Sequence, residues 1–144
     1  MTAWVAEPPA AYAAKPVAVV DCSVVATSVF LEPAAREADA LTRAYRLVAP
    51  SLLAYELANV AANKLRRGET PADMLTTQLA SLDADVVELA DVPPLGAFAL
   101  AQRYGLSAYD ASYLWLAAEL RAPLITFDRR LGVAAQEHMR SLGA

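Results

Sequence analysis

The chain has 144 residues, 57% hydrophobic and 19% charged, which suits one compact domain and argues against intrinsic disorder. Its only cysteine, Cys22, and only histidine, His138, exclude an internal disulfide framework and a zinc site of the usual ligand set. The net charge of −4 argues against a protein that wraps nucleic acid by bulk phosphate neutralisation. Because no apolar run is long enough to span a membrane and no signal peptide is evident, we expect a cytoplasmic protein.

Residues 1–16 are rich in Ala and Pro and predict a flexible N-terminal arm, followed by one domain over residues 17–144. From residue 17, short apolar runs alternate with amphipathic stretches. The predicted strands are Val17–Val20, Arg46–Ala49, Asp85–Leu89 and Leu124–Phe127. The predicted helices cover residues 23–31, 33–45, 51–67, a segment that opens at Thr70, 94–104, 107–121 and the tail from Arg129.

Strands that alternate with crossover helices indicate an α/β fold, with a parallel sheet covered by helices on both faces. In such sheets, ligands bind beyond the carboxyl ends of the strands. Asp21 directly follows the first predicted strand and Asp128 directly follows the last one. We therefore expect both carboxylates at the same edge of the sheet.

Two further acids interrupt apolar stripes on predicted helices. Glu56 lies four residues after Leu52 and four before Val60, and Asp110 lies four residues before Leu114. A carboxylate on an inward face is unfavourable unless it is paired, hydrogen-bonded or bound to a metal. Since no lysine or histidine lies near these acids in sequence, a hard divalent cation such as magnesium is the simplest partner. The chemistry that follows is phosphodiester hydrolysis by a metal-activated water.

Each acid also has a purely structural interpretation. Asp110 could complete a capping box with Ser107, and Asp128 could be a turn or cap residue. Glu56 could lie on a helix surface, and Asp21 could simply end a buried strand. Four acids directed at one edge of the sheet are harder to explain by structure alone.

At these residues the sequence resembles the PIN-domain family, and more closely the VapC-type toxins of bacterial toxin–antitoxin pairs. The matching segments are VAVVDCSVV, APSLLAYELANVAANKLRRG, LSAYDASYLWLAAE and PLITFDRRL, which surround the four acids in the expected order. The resemblance implies a PIN-like three-layer α/β/α fold with a central parallel sheet of four to five strands. The family's usual closing strand is not evident in this sequence.

The resemblance also implies metal-dependent cleavage of RNA, with Asp21, Glu56, Asp110 and Asp128 as the catalytic site. Asp21 and Asp110 would bind Mg²⁺ directly, and Mn²⁺ could substitute for it. Glu56 and Asp128 would complete the site directly, through water or at a second metal.

Three residues are candidate supports for these acids. Ser23 and Thr126 match small hydroxyl positions beside the first and last acids, although a helix cap and a β-branched strand residue explain them equally well. Asn59 lies one helical turn from Glu56 and could donate a hydrogen bond to it. We interpret Cys22 as a core residue, because no histidine is placed to activate it as a nucleophile.

Arg129 and Arg130 directly follow a site acid and are the better candidates for RNA binding. Lys64 and Arg67 are further candidates, although cations near a helix C-terminus also favour the helix dipole. As partners, the resemblance implies a homodimer and a cognate antitoxin whose basic C-terminal segment covers the acidic site.

Other functions remain open at this point. A PIN-like domain could serve as an interaction scaffold with weak or no nuclease activity, and DNA flap cleavage is a further alternative, although no arch or additional DNA-binding domain is evident. A receiver domain would need a lysine at the end of a late strand, which the chain does not have. A haloacid-dehalogenase-type phosphatase would need a second aspartate two residues after Asp21, where Ser23 stands.

Overall fold

A computed structural model describes residues 2–7, 15–83 and 86–143. Four strands are present in this part of the chain: β1 (Val17–Val20), β2 (Arg46–Pro50), β3 (Glu88–Ala90) and β4 (Leu124–Ile125). The helices are α1 (Cys22–Val29), α2 (Ala35–Thr42), α3 (Leu53–Arg66), α4 (Ala72–Ala80), α5 (Pro94–Tyr104), α6 (Ala108–Leu120) and α7 (Arg129–Leu142). None of the helices in the described ranges is both long and apolar enough to cross a membrane.

The strands form one parallel sheet in the order β3-β2-β1-β4. The chain moves outward from β1 to β3 and then crosses back to β4, so right-handed crossovers place the two sets of connecting helices on opposite faces. On one face, α6 packs against β1, β2 and β4, and on the other, α1 packs against α2 and α3. This confirms the predicted three-layer α/β/α fold; within the described residues the sheet has four strands.

The hydrophobic core is formed by the central strand and the helices that cover it. Ala18, Val19 and Val20 of the central strand β1 are fully buried because helices cover both faces of the sheet. Across the sheet, α6 contributes fully buried Tyr113 and Leu114 to the same core. Gly105 ends α5 in the left-handed conformation, with φ of 64°, and turns the chain back towards α6.

Three predicted strands differ from the structure. β2 ends at Pro50, one residue later than expected, because Pro50 still pairs with Ala90 of β3. β3 begins at Glu88, three residues later than expected, because its pairing with β2 is fixed at Val48–Glu88; Asp85 lies outside the described residues. β4 ends at Ile125 instead of Phe127, because only Leu124 and Ile125 pair with β1. Asp128 therefore follows a short loop and not the strand itself.

The N-terminal segment is described only in part. Residues 2–7 form neither helix nor strand, and Trp4 is 93% exposed. Tyr12 lies outside the described residues. The Lys15 ammonium donates a 2.9 Å hydrogen bond to the Arg43 carbonyl, so the chain is attached to the domain from that point.

Candidate functional site

The sheet order determines where a site can form. β1 lies between β2 and β4, and the chain leaves β1 on one side for β2 and reaches β4 from the other. A crevice therefore opens beyond the carboxyl ends of β1 and β4. Asp21 follows β1 at this crevice, and its backbone N–H donates a 3.0 Å hydrogen bond to the Ile125 carbonyl of β4.

The carboxylate of Asp21 is held through one of its two oxygens. Oδ2 accepts hydrogen bonds from Ser23 Oγ at 2.8 Å, Thr126 Oγ1 at 2.8 Å and the Ser23 backbone N–H at 3.4 Å. Oδ1 accepts no hydrogen bond from the described residues. Asp21 is only 5% exposed. A buried carboxylate with one oxygen fully engaged and the other unpaired is suited to bind a cation.

The loop after β4 is hydrogen-bonded to Ser23 and Thr126, the two residues that hold Asp21. Ser23 Oγ accepts from the Phe127 backbone N–H at 3.0 Å, and Thr126 Oγ1 accepts from the Asp128 backbone N–H at 2.9 Å. Ser23 and Thr126 thus connect Asp21 to the loop that carries Asp128. The structure places both predicted supporting hydroxyls in contact with Asp21.

Asp128 is an exposed residue that begins α7. Its Oδ1 accepts from the Leu131 backbone N–H at 2.9 Å, so it caps the helix. The cap interpretation is therefore correct as structure. It leaves Oδ2 unused, and the negative charge of Asp128 also raises the pKa of Asp110. Asp128 therefore lies near enough to Asp110 for its charge to act on that carboxylate.

Glu56 lies in the first turn of α3 and is partly buried. Its Oε1 accepts a 2.5 Å hydrogen bond from the Tyr113 hydroxyl of α6. Burial, with smaller contributions from the charges of Asp21 and Asp110, raises the pKa of Glu56 even though the Tyr113 hydrogen bond opposes this. The carboxylate therefore retains a proton more readily than an exposed glutamate.

The expected hydrogen bond between Asn59 and Glu56 is not formed. Asn59 is exposed on α3 and makes no hydrogen bond to Glu56 among the described contacts. Tyr113 occupies that role instead. Tyr113 is not among the site candidates that the sequence identifies. Its position one helical turn after Asp110 places it on the same side of α6 and is a signal that could have identified it.

Asp110 lies in the first turn of α6. Its backbone N–H donates to Ser107 Oγ at 3.1 Å, so Ser107 is the cap of this helix. Burial raises the pKa of Asp110, the charges of Asp21 and Asp128 raise it further, and a hydrogen bond from Ser107 and the charge of Arg130 oppose the effect. Asp110 thus takes part in both arrangements: it lies in a capped helix turn and within reach of two other acids.

Together these shifts show that the four acids form one electrostatic cluster. Burial is the largest cause of both raised pKa values; the charge of Asp21 raises the pKa of Glu56 and of Asp110 further, and the charge of Asp128 adds to that of Asp110. In the described ranges, no three acidic, cysteine or histidine side chains are arranged to hold a metal ion by themselves. Magnesium does not need such a cage, since it retains several waters and is commonly bound by one or two carboxylates together with substrate phosphate.

Cys22 lies beside this cluster, and its environment suppresses its reactivity. Burial, followed by the charges of Glu56 and Asp21, raises the pKa of the thiol to about 12. Because the thiolate is the nucleophilic form, a thiol with this pKa is inert at neutral pH. The structure supports its assignment as a packing residue.

The candidate RNA-binding cations fall into two groups. Lys64 forms ion pairs with Glu32 and, at 3.6 Å, with Glu69, and its side chain is only 14% exposed. Arg67 lies 3.8 Å from the Glu69 carboxylate. Arg129 and Arg130 instead lie exposed in the first turn of α7, next to Asp128.

Comparison with known proteins identifies the family. The PIN domain family matches residues 18–137. The chain is 35% identical over 119 residues to Ribonuclease VapC3 of Pyrobaculum aerophilum, covering 78% of this chain and 90% of that protein. The crystal structure of PAE2754 from the same organism superposes with a TM-score of 0.61 at 23% identity, covering 91% of this chain and 98% of that one, and so shares the fold. The chain belongs to the PIN domain family, and over most of its length it is similar to a VapC-type member.

Proposed function

We propose that the protein is a magnesium-dependent endoribonuclease that hydrolyses RNA phosphodiester bonds in the cytoplasm as the toxin of a toxin–antitoxin pair. The observation that carries the proposal is the cluster of four acids at the crevice between β1 and β4, where burial and, to a smaller extent, the charge of Asp21 raise the pKa of Glu56 and Asp110. Repelling carboxylates at a ligand-binding edge are unfavourable for folding and are retained where they bind something positively charged. The similarity to a protein named as a ribonuclease supports RNA as the substrate.

The donor set of the cluster fits magnesium, because it consists only of carboxylate oxygens. Asp21 Oδ1, which no described hydrogen bond engages, and the carboxylate of Asp110 are the atoms we assign to the metal. Glu56 and Asp128 would complete the site directly, through water or at a second ion. Manganese, which accepts the same oxygen ligands, would substitute.

When bound, the metal would supply a Lewis acid and an activated water for attack on phosphorus. The chain's own residues orient the carboxylates and accept a proton. Ser23 and Thr126 hold Asp21 through Oδ2, so its other oxygen keeps one direction. Tyr113 holds Glu56 through Oε1, which leaves Oε2 to accept a proton from the attacking water. Burial raises the pKa of Glu56 above that of an exposed glutamate, which makes its carboxylate a stronger base for that exchange.

The nuclease proposal is tested with purified protein freed of any partner. It should cleave RNA with magnesium or manganese and stop when a chelator is added, and Asp21→Asn should abolish cleavage. Glu119→Gln is a matched control, because Glu119 is an exposed acid near the end of α6 and should leave activity unchanged. Cleavage that persists in chelator, or that Asp21→Asn retains, would contradict the metal-dependent mechanism.

We further propose two partners: a cognate antitoxin whose basic C-terminal segment covers the site, and a second copy of the chain. A basic segment would complement the acidic cluster. Exposed Leu95 and Phe98 on α5, 82% and 61% exposed, support a self-association surface. The toxin role is tested by expression: the wild type alone should arrest growth, and Asp21→Asn should not. The homodimer is tested by light scattering of the purified protein, which should give twice the monomer mass. Normal growth at confirmed expression of active protein would contradict the toxin role.

A further inference from the structure

A cavity lies beside the acidic cluster, between the end of α5 and the first turns of α7. Its volume is about 620 Å³, within the range of pockets that hold small ligands. Its polar lining comes from Arg103, Tyr104, Arg129, Arg130 and Glu137. We call it the arginine groove.

The arginine groove is positive on an otherwise acidic protein. Three arginines face one glutamate, in a chain whose net charge is −4. Arg103, Arg129 and Arg130 are exposed, and none of them forms an ion pair within 4.0 Å among the described residues. Lys64, by contrast, is bound to two glutamates. The uncommitted positive charge on this side of the site is therefore concentrated in the groove.

The wall of the groove is held in place by aromatic contacts. The Arg103 guanidinium lies 5.2 Å from the centre of the Tyr104 ring. The Tyr104 hydroxyl is hydrogen-bonded to Nδ1 of buried His138 at 2.8 Å, and the two rings meet edge to face with centres 5.4 Å apart. Because Tyr104 ends α5 and His138 belongs to α7, these contacts fix the two sides of the groove relative to each other.

Arg130 joins the groove to the acids. Its guanidinium donates a hydrogen bond to the Gly105 carbonyl, which leaves further N–H donors available. Its charge also acts on Asp110. Arg129 and Arg130 directly follow Asp128 in the sequence. The positive groove therefore begins where the negative cluster ends.

We propose that Arg103, Arg129 and Arg130 bind the phosphates of the RNA strand that flank the phosphate being cut. This inference rests on the proposed nuclease function and adds Arg103, which the sequence did not indicate. Arginine suits the role, because its planar guanidinium donates two parallel hydrogen bonds to a phosphate. An acidic peptide is the other polyanion that could bind, but the neighbouring carboxylates would repel it. An RNA strand instead reaches the acids together with the metal that neutralises them.

The test is RNA binding without cleavage. A fluorescein-labelled oligouridylate is titrated with the full chain in millimolar calcium, which binds carboxylate oxygens, and a gel checks that the RNA stays intact. Anisotropy is followed between about 50 and 200 mM salt. Arg103→Ala should bind about five-fold more weakly at 0.1 M salt and reduce the slope of log K against log salt by about 0.7, the value for one lost phosphate contact on a single strand. Arg36→Ala, which removes an exposed arginine on α2, is the matched control and should bind like the wild type.

The outcomes separate this inference from the nuclease proposal. If the wild type binds the RNA through Arg103 but never cleaves it, the groove proposal stands and the proposed function is wrong. If the protein cleaves RNA but Arg103→Ala and Arg36→Ala bind the oligouridylate equally tightly, the groove proposal is wrong and the nuclease proposal stands. No binding of the oligouridylate by the wild type also overturns the groove. Polyglutamate that displaces the RNA from the wild type at equal charge would assign the groove to an acidic peptide instead. A thermal unfolding scan of each variant confirms that it is folded.

Discussion

Thr126 Oγ1 donates a 2.8 Å hydrogen bond to Asp21 Oδ2, joining the end of β4 to the end of β1 across 105 residues of sequence. Thr126 Oγ1 also accepts a hydrogen bond from the Asp128 backbone N–H at 2.9 Å. A single hydroxyl therefore sets the direction of the buried Asp21 carboxylate and the start of the loop that carries Asp128. Both of these acids belong to the proposed metal site.

Replacing that hydroxyl tests whether the arrangement matters. Thr126→Val keeps the shape of the side chain and removes both hydrogen bonds, which should lower stability by about 1 kcal/mol. Loss of a group that orients a metal ligand should also reduce cleavage or apparent magnesium affinity by about 10- to 100-fold. Thr126→Ser retains the hydroxyl and should restore most of the activity. The measurement is cleavage rate over a magnesium titration; equal rates for the Val and Ser variants would show that Thr126 only packs.

The hydrogen bond between Tyr113 and Glu56 gives a second prediction. In Tyr113→Phe, the partly buried carboxylate loses its donor, which should cost about 1–3 kcal/mol at neutral pH. The hydrogen bond lowers the pKa of Glu56, so its loss should raise that pKa further. The stability difference from the wild type should shrink as pH falls and Glu56 becomes protonated in both proteins. Urea unfolding at pH 7 and pH 4 checks this; a loss that is independent of pH would mean that the hydroxyl does not act on the ionised carboxylate.

The sequence predicts much of this site because buried strands and inward acids have simple signatures. Val17–Val20 is an uninterrupted apolar run, and its boundaries in the structure are those predicted. Asp21 follows it directly, so its place at the edge of the sheet follows from strand direction alone. Glu56 and Asp110 stand out because each interrupts an apolar stripe.

Contacts between distant segments could not be predicted in the same way. Glu56 pairs with Tyr113 across 57 residues. Periodicity places Tyr113 on the same side of its helix as Asp110, but it does not show that the Tyr113 hydroxyl reaches Glu56. β4 is shorter than its apolar run, because Thr126 leaves the strand to bind Asp21. Arg103 and Arg129 line the same cavity, although they belong to helices that are distant in sequence. Periodicity reports which face is buried, but it does not report what lies opposite.

The raised pKa values of Glu56 and Asp110 predict how the metal-free protein responds to pH. Their ordinary values are 4.5 and 3.8, and both are raised in the folded state, mainly by burial. The folded protein therefore binds these protons more tightly than the unfolded chain does. The resulting stability is fully present below the ordinary values and is lost as pH rises through the raised ones. In chelator, the wild type should lose stability relative to a Glu56→Gln, Asp110→Asn double variant as pH rises from these ordinary values through the raised ones. Parallel stability curves for the two proteins would contradict the shifts.

Asp110→Asn distinguishes two roles of Asp110, as a member of the acidic cluster or as a helix-cap residue. The two roles predict changes of opposite sign in the free energy of unfolding. If the carboxylate serves the helix N-terminus, its neutralisation should cost about 0.3–1 kcal/mol. The structure favours the opposite sign. Ser107 already caps the helix through the Asp110 backbone N–H, and the charges of Asp21 and Asp128 act against the Asp110 carboxylate. Relief of that repulsion, reduced by solvent screening of a half-exposed group, should stabilise metal-free protein by on the order of 1 kcal/mol.

Magnesium should give the reverse signature in the same experiment. It should stabilise the wild type by mass action, through binding to the folded state, and it should stabilise Asp110→Asn much less, because one ligand is gone. Both proteins are unfolded thermally in chelator and in millimolar magnesium, with Glu119→Gln as the control for loss of an exposed charge on the same helix. A variant that is less stable than the wild type in chelator, with an unchanged magnesium increment, would assign Asp110 to the helix cap. A variant that is more stable in chelator and insensitive to magnesium would place its carboxylate at the metal.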